Sequence, residues 1–105
     1  MITCENLVGD IWFDGTRRQG RFYANSQELI EMFGRPGVFI NEYAEWALRF
    51  VCHNGKVICA TIYPASVDNR GNNLQPGLYE VGGYGPEALY AVEYFLTGRI
   101  ALEVA

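Results

Sequence analysis

Apolar and polar positions alternate in two registers along this chain, a two-residue period in some stretches and a helical period in others. Leu7 to Phe13 reads as a strand ending at Asp14-Gly15. A polar loop, Thr16 to Gly20, and a short strand, Arg21 to Ala24, would complete an N-terminal hairpin with a long tip. Asn25 then stands where a helix cap belongs. Glu28 lies three positions on, where a carboxylate returns the bond to the cap backbone. Leu29, Ile30 and Phe33 share one helical face. Gly34 supplies the left-handed C-terminal cap, and Pro36 prevents continuation.

The clearest local pattern spans the middle. Residues 42–52 alternate, His53-Asn54-Gly55-Lys56 offers the Asn-Gly of a type I′ hairpin, and residues 57–63 return. A two-residue turn sets Cys52 opposite Val57, Phe50 opposite Cys59, Leu48 opposite Thr61 and Trp46 opposite Tyr63, so that this face is the core face. The other face, with Tyr43, Glu45, Ala47, Arg49 and Val51 against Ile58, Ala60 and Ile62, is neither polar nor apolar. It calls for a cover: the last helix, a second subunit or a ligand.

Residues 64–77 form the longest irregular connection, of a length usually reserved for functional or mobile loops. A strand at Leu78 to Val81 follows. Gly82-Gly83-Tyr84-Gly85 then leads into a helix from Pro86 that buries Ala88, Leu89, Val92, Phe95 and Leu96 and exposes Glu87, Tyr90, Glu93 and Tyr94. That helix stops at Gly98, and Arg99 to Ala105 would add an edge strand or pair with a second subunit. The order β-β-α-β-β-β-α predicts a single α+β domain over residues 1–105. Its sheet is mostly antiparallel, of about five strands, with two helices packed on it.

Composition narrows the function. Half of the 105 residues are apolar, enough for a core without disulfides or metal. Twelve acids against eight bases give a net charge of −4, which argues against general nucleic-acid binding. Seven of the eight bases are arginines, a residue suited to bidentate contact with phosphate or carboxylate. The N-terminus has no signal-peptide pattern, and no apolar run approaches a membrane span. Three cysteines, an odd number, read as reduced thiols, so the expected location is the cytoplasm.

Few residues could carry chemistry. The Gly83-x-Gly85 turn before a helix offers backbone N–H groups to an anion. Pro86 removes one donor and Glu87 would repel the ligand, and the same glycines serve equally for close helix–sheet packing. Arg17 and Arg18 at the hairpin tip and Arg70 in the long loop could hold phosphates or simply be solvated; Arg70 and Tyr84 could close over a planar ligand. His53 is the only histidine, and Cys52 and Cys59 point into the inferred core, so no metal set and no Cys–His couple assembles. No catalytic motif is present, and no cofactor is expected. Tyr90 and Tyr94, four apart on a polar helix face, point to an interface. The candidate ligand contacts are Tyr43, Arg49, Arg70, Gly83 and Tyr84.

Glu31-Met32-Phe33-Gly34-Arg35-Pro36, Glu45-Trp46 through Phe50, Asn54-Gly55-Lys56-Val57, Ala60-Thr61-Ile62-Tyr63-Pro64 and Val81-Gly82-Gly83 together resemble a pattern found in small bacteriophage-encoded proteins of unassigned function. The resemblance covers about two-thirds of the chain and contains no catalytic motif. It implies an oligomeric anti-defence protein in the host bacterial cytoplasm. Such a protein would be a sponge for a small anionic ligand, such as a cyclic or ADP-ribose-type nucleotide signal, held without catalysis. The alternative is a stoichiometric protein–protein inhibitor or adaptor acting on a host defence protein.

Overall fold

In the computed structural model, residues 2–9, 13–40, 43–66, 70–72, 75–96 and 102–104 are described, with backbone alone at 39–40, 43 and 102–104. The elements run β1 (Thr3–Leu7), β2 (Arg17–Ala24), α1 (Ser26–Phe33), β3 (Val38–Ile40), β4 (Tyr43–Val51), β5 (Val57–Pro64), β6 (Gly77–Gly83), α2 (Glu87–Phe95) and β7 (Leu102–Val104). One antiparallel sheet is ordered β1-β4-β5-β6-β2-β7, with β3 on β4 as a side branch. The fold is α+β, with a five-strand antiparallel centre and two helices, as the patterning predicts.

The β4–β5 hairpin departs from its expected register. Val51 pairs with Val57, Phe50 with Ile58, Leu48 with Ala60 and Trp46 with Ile62. The cause lies in the turn. Gly55 N–H donates to the Cys52 carbonyl, Cys52 N–H donates to the Lys56 carbonyl, and Gly55 sits at φ +86. That is a three-residue loop, a type I turn closed by a left-handed glycine bulge, rather than a two-residue type I′ turn. One extra loop residue slips the pairing by one, which sends every β5 side chain to the other face. Ile58, Ala60 and Ile62 therefore join Trp46, Leu48 and Phe50 in the core, while Val57, Cys59, Thr61 and Tyr63 share the opposite face with Ala47 and Arg49. Cys59 is not a core thiol.

The expected N-terminal hairpin does not form. β1 begins at Thr3 and pairs with β4 at one side of the sheet, whereas β2 pairs with β6 four strands away. The segment Arg17 to Gly20, expected as loop, is the first half of β2. Its arginines belong to a strand with one polar face, where Arg18 pairs with Glu80 at 3.2 Å. Residues 10–12 of the anticipated first strand lie outside the described residues, as do Gly98 and Arg99. The tail does add an edge strand, β7 on β2.

Both helices lie on one face of the sheet. The cap of α1 is as anticipated: Asn25 Oδ1 accepts from Glu28 N–H and the Glu28 carboxylate accepts from Asn25 N–H. Its far end is tied down by the sheet. Asn6 Nδ2, from β1, donates to the carbonyls of Phe33 at 2.8 Å and Arg35 at 2.7 Å, and Trp46 Nε1 donates to the Gly34 carbonyl at 2.8 Å. These three bonds occupy carbonyls that a helix C-terminus leaves without intrahelical partners. Leu29 and Phe33 from α1, with Leu89, Val92 and Leu96 from the α2 end, complete a core with Phe22, Phe50, Ile62 and Val81. The opposite face of β4 and β5 carries neither helix.

Candidate functional site

Where the start of α1 meets the connection after β5, the helix-bearing side opens into a cleft of about 410 Å³. Ser26 and Ile30 of α1, Pro36 after it, and Ala44 and Trp46 of β4 form one side; Pro64, Arg70, Gly71, Asn72 and Tyr79 form the other. The volume falls in the lower part of the roughly 300–1,000 Å³ range of small-molecule sites. Trp46 and Tyr79 meet edge to face, 6.1 Å between ring centres, and are almost fully buried, so they present edges at the floor rather than open faces. Ile30, Pro36, Ala44 and Pro64 supply the apolar part of a lining that is about as polar as it is apolar. Arg70 and Asn72 stand exposed at the lip.

The lip is held by close packing. A side chain at Gly71 would run into the Ala24 carbonyl, and would come within 2.8 Å of Gly77 N and 3.0 Å of Asn25 Cα, so the loop crosses the end of β2 where only glycine fits. Asn72 Oδ1 accepts from Gln75 N–H at 2.9 Å, and Asn72 N–H donates to the Gln75 carbonyl at 2.9 Å, closing a small turn beside the cleft. Burial pushes the Tyr79 phenol above its ordinary pKa, while a hydrogen bond from the Gly71 backbone and the charge of Arg70 pull the other way. The guanidinium therefore acts on the cleft floor. Among the described residues that line the cleft there is no Asp or Glu. Its polar side chains include the Arg70 guanidinium, the Asn72 amide, the Ser26 hydroxyl and the Tyr79 phenol, a set suited to an anion.

Comparisons with protein families, with curated proteins and with solved structures found no match to this chain. The site must be judged on its own geometry.

The candidate contacts named from the sequence are dispersed. Arg70 lines the cleft. Tyr43 begins β4 next to the cleft residue Ala44; its side chain lies outside the described residues. Arg49 is exposed on the sheet face that carries no helix, opposite Glu5 on β1 and Cys59 on β5. Gly83 ends β6, four residues and roughly 13 Å of strand from Tyr79. Tyr84 is exposed beyond it and lies against the turn at Gly15, 3.9 Å from where a side chain there would begin. The Arg70–Tyr84 closure thus has its two members at opposite ends of β6.

The glycine turn is filled. A Cβ on Gly83 would overlap the Ala88 Cβ, Gln19 Nε2 donates to the Gly83 carbonyl at 3.1 Å, and the Glu87 carboxylate lies against Gly85. These contacts are those of tight helix–sheet packing with an acid over the helix start.

On the open sheet face, Glu45, Tyr63, Glu80 and Arg18 form a second polar strip. Burial raises the pKa of Tyr63, helped by the charge of Glu80, by the hydrogen bond to it and by Glu45, with Arg18 opposing; burial also raises Glu45. Such a phenol keeps its proton at neutral pH. Among the described residues no group of three or more His, Cys, Asp or Glu is placed to hold a metal, and no helix is long and apolar enough to cross a membrane.

Sequence reasoning did not reach Ser26, Ile30, Pro36, Pro64 and Tyr79 as cleft residues. The available signal was positional: Pro36 and Pro64 end regular elements, and the long 64–77 connection follows the second of them.

Proposed function

We propose that this chain is a phage-type anti-defence binding protein that holds a small anionic ligand, a nucleotide immune signal, in the Arg70 cleft without turning it over. The observation carrying this reading is an exposed arginine at the lip of a partly apolar cleft, with no carboxylate among the described residues of its lining. Arg70 offers the fork that matches phosphate oxygens, and Ser26 and Asn72 add neutral polar groups beside it. The apolar part of the lining favours a ligand with a ring body over a bare inorganic ion. The same reading makes the protein a cytoplasmic homo-oligomer, with the helix-free face of β4 and β5 left for a second copy.

The test is a panel of cyclic and ADP-ribose-type nucleotides read by thermal shift, with the recovered ligand checked by mass. A true ligand at one hundred times its Kd stabilises by about 2.7 kcal/mol. Arg70→Ala should abolish that shift, with circular dichroism showing that the variant keeps its fold. Recovery of a chemically altered nucleotide, or a shift that survives Arg70→Ala, would overturn the proposal.

A further inference from the structure

Two aromatic side chains close the floor of the cleft, Trp46 and Tyr79, each 3% exposed. Their polar ends are committed differently. Trp46 Nε1 gives its one proton to the Gly34 carbonyl at 2.8 Å and has nothing left to offer. The Tyr79 ring is set by the core, stacked on Phe22 at 6.0 Å between ring centres and edge-on to Trp46 at 6.1 Å. Its hydroxyl end reaches the cleft, because the hydrogen bond that the phenol oxygen accepts comes from Gly71 N–H, and Gly71 belongs to the lining. A phenol oxygen already used as an acceptor still has its own proton to give. Among the described residues no acceptor takes that proton. Lip and floor therefore differ in kind. Arg70 and Asn72 stand exposed at the lip, whereas the floor holds one uncommitted side-chain donor and no charge.

We infer, resting on the nucleotide reading of this cleft, that Tyr79 sets its base specificity. The hydroxyl donates to a carbonyl oxygen on the inner edge of the base, and so selects nucleotides with an oxo base, of the guanine or hypoxanthine kind. An amino group in the same place sets a donor against a donor and leaves both unpaired at a buried position. Arg70 cannot make this distinction, since the phosphate is common to both kinds of nucleotide. The donor is also held in place. Phe22 and Trp46 fix the ring, and the Gly71 that holds the oxygen is itself lodged against the Ala24 carbonyl. A donor fixed in this way discriminates better than one that can turn and accept instead.

The experiment uses the intact chain and the 3′,5′-cyclic monophosphates of guanosine, inosine and adenosine, with affinities from isothermal titration calorimetry. The guanosine and inosine forms should bind alike, each about tenfold more tightly than the adenosine form. Tyr79→Phe keeps the ring and removes the donor. It should weaken the two oxo ligands about tenfold and leave the adenosine form within about threefold, so that the preference disappears. The ratio between ligands is the readout, because a cleft that is merely loosened weakens all three together. Should Tyr79→Phe fail to fold by circular dichroism, the wild-type ratio decides alone. Equal binding of the three, a preference for the adenosine form, or a preference that survives Tyr79→Phe overturns the role of Tyr79 and leaves the nucleotide cleft standing. Binding of none of the three overturns it as well, and the wider nucleotide panel then decides the cleft.

Discussion

Gly83 decides between two readings of the glycine turn, and the structure gives the size of the effect. A Cβ built there would lie under 3.0 Å from the Ala88 Cβ, with Cys59 O at 3.4 Å and Gln19 Cγ at 3.6 Å. Carbon atoms pack at about 3.5–4.0 Å, so β6 and the start of α2 would have to part by at least about 0.5 Å. Ala88 and its neighbour Leu89 are fully buried, and the helix cannot move without loosening its other contacts. Overpacking of this kind costs about 1–3 kcal/mol, and Gly83→Ala is expected near 2. Ala88→Gly alone loses a buried methyl and some helix propensity, about 1 kcal/mol. If the two carbons are the whole conflict, the double variant costs about 1 kcal/mol rather than the additive 3, a coupling of about 2. Urea unfolding followed by tryptophan fluorescence measures all three, and 2 kcal/mol moves the midpoint by roughly 1–2 M. A Gly83→Ala cost below about 0.5 kcal/mol, or a strictly additive double variant, would refute the packing account and return the turn to its alternative role as an anion cradle.

Three other outcomes follow from contacts already described. Asn6→Ala removes two of the three hydrogen bonds to the α1 carboxyl end and should cost about 1–3 kcal/mol in the same urea assay. Asn6→Asp should cost more at pH 7 than at pH 4, because the ionised carboxylate faces carbonyls. Gly55→Ala places a side chain at φ +86 without a clash and should cost about 1 kcal/mol, with Gly55→Asn milder. Burial pushes the Cys4 thiol up to about 11. Between pH 9 and 11 the unfolded chain releases that proton while the folded chain keeps it, so stability falls as pH rises through this window. Tyr63 and Tyr79, also raised, add the same sign at higher pH. Cys4→Ser should flatten the first part of the slope, and Cys4 should alkylate more slowly in the native state than in urea.

What could be read from the chain was what depends on neighbours in sequence. The helix from Asn25 to Gly34 announced itself because cap, carboxylate, apolar stripe and terminating glycine all lie within ten residues, and the structure uses each of them. The β4–β5 register failed for an instructive reason: Asn-Gly is compatible with either a two- or a three-residue loop, and the turn alone does not choose. The strand pattern did choose. Ile58, Ala60 and Ile62 are wholly aliphatic, whereas Val57, Cys59, Thr61 and Tyr63 include two hydroxyls. Matching the aliphatic set to Trp46, Leu48 and Phe50 forces the bulged turn. The N-terminal hairpin failed differently. Arg17 to Gly20 looked like a loop because its partner face, Glu80 to Gly83, lies more than sixty residues away. The cleft was half legible. An arginine in a long irregular connection marks a site, but walls drawn from α1, β4 and β6 exist only after the sheet has formed.

Strand order also explains why the contacts picked from sequence do not converge. Arg49 points to the face opposite both helices, because Trp46, Leu48 and Phe50 take the core side of β4 and alternation leaves Arg49 no choice. Gly83 and Tyr79 share the core side of β6 but stand at different positions along it: Gly83 pairs with Ala60 and abuts α2, while Tyr79 pairs with Pro64 and abuts the cleft. A ligand touching Arg70 therefore cannot also reach Arg49 without passing through the sheet. The protein divides its surfaces by element instead. The cleft belongs to α1, the ends of β4 and β6 and the 64–77 connection, the exposed Tyr90 and Tyr94 to α2, and the helix-free face to β4 and β5. Substitutions at Arg70 and at Tyr90 should for that reason be additive in stability, coupled by less than about 0.5 kcal/mol in the urea assay. Coupling between them would mean that α2 and the connection move together, an arrangement for which the packing at Gly71 and Gly83 leaves little room.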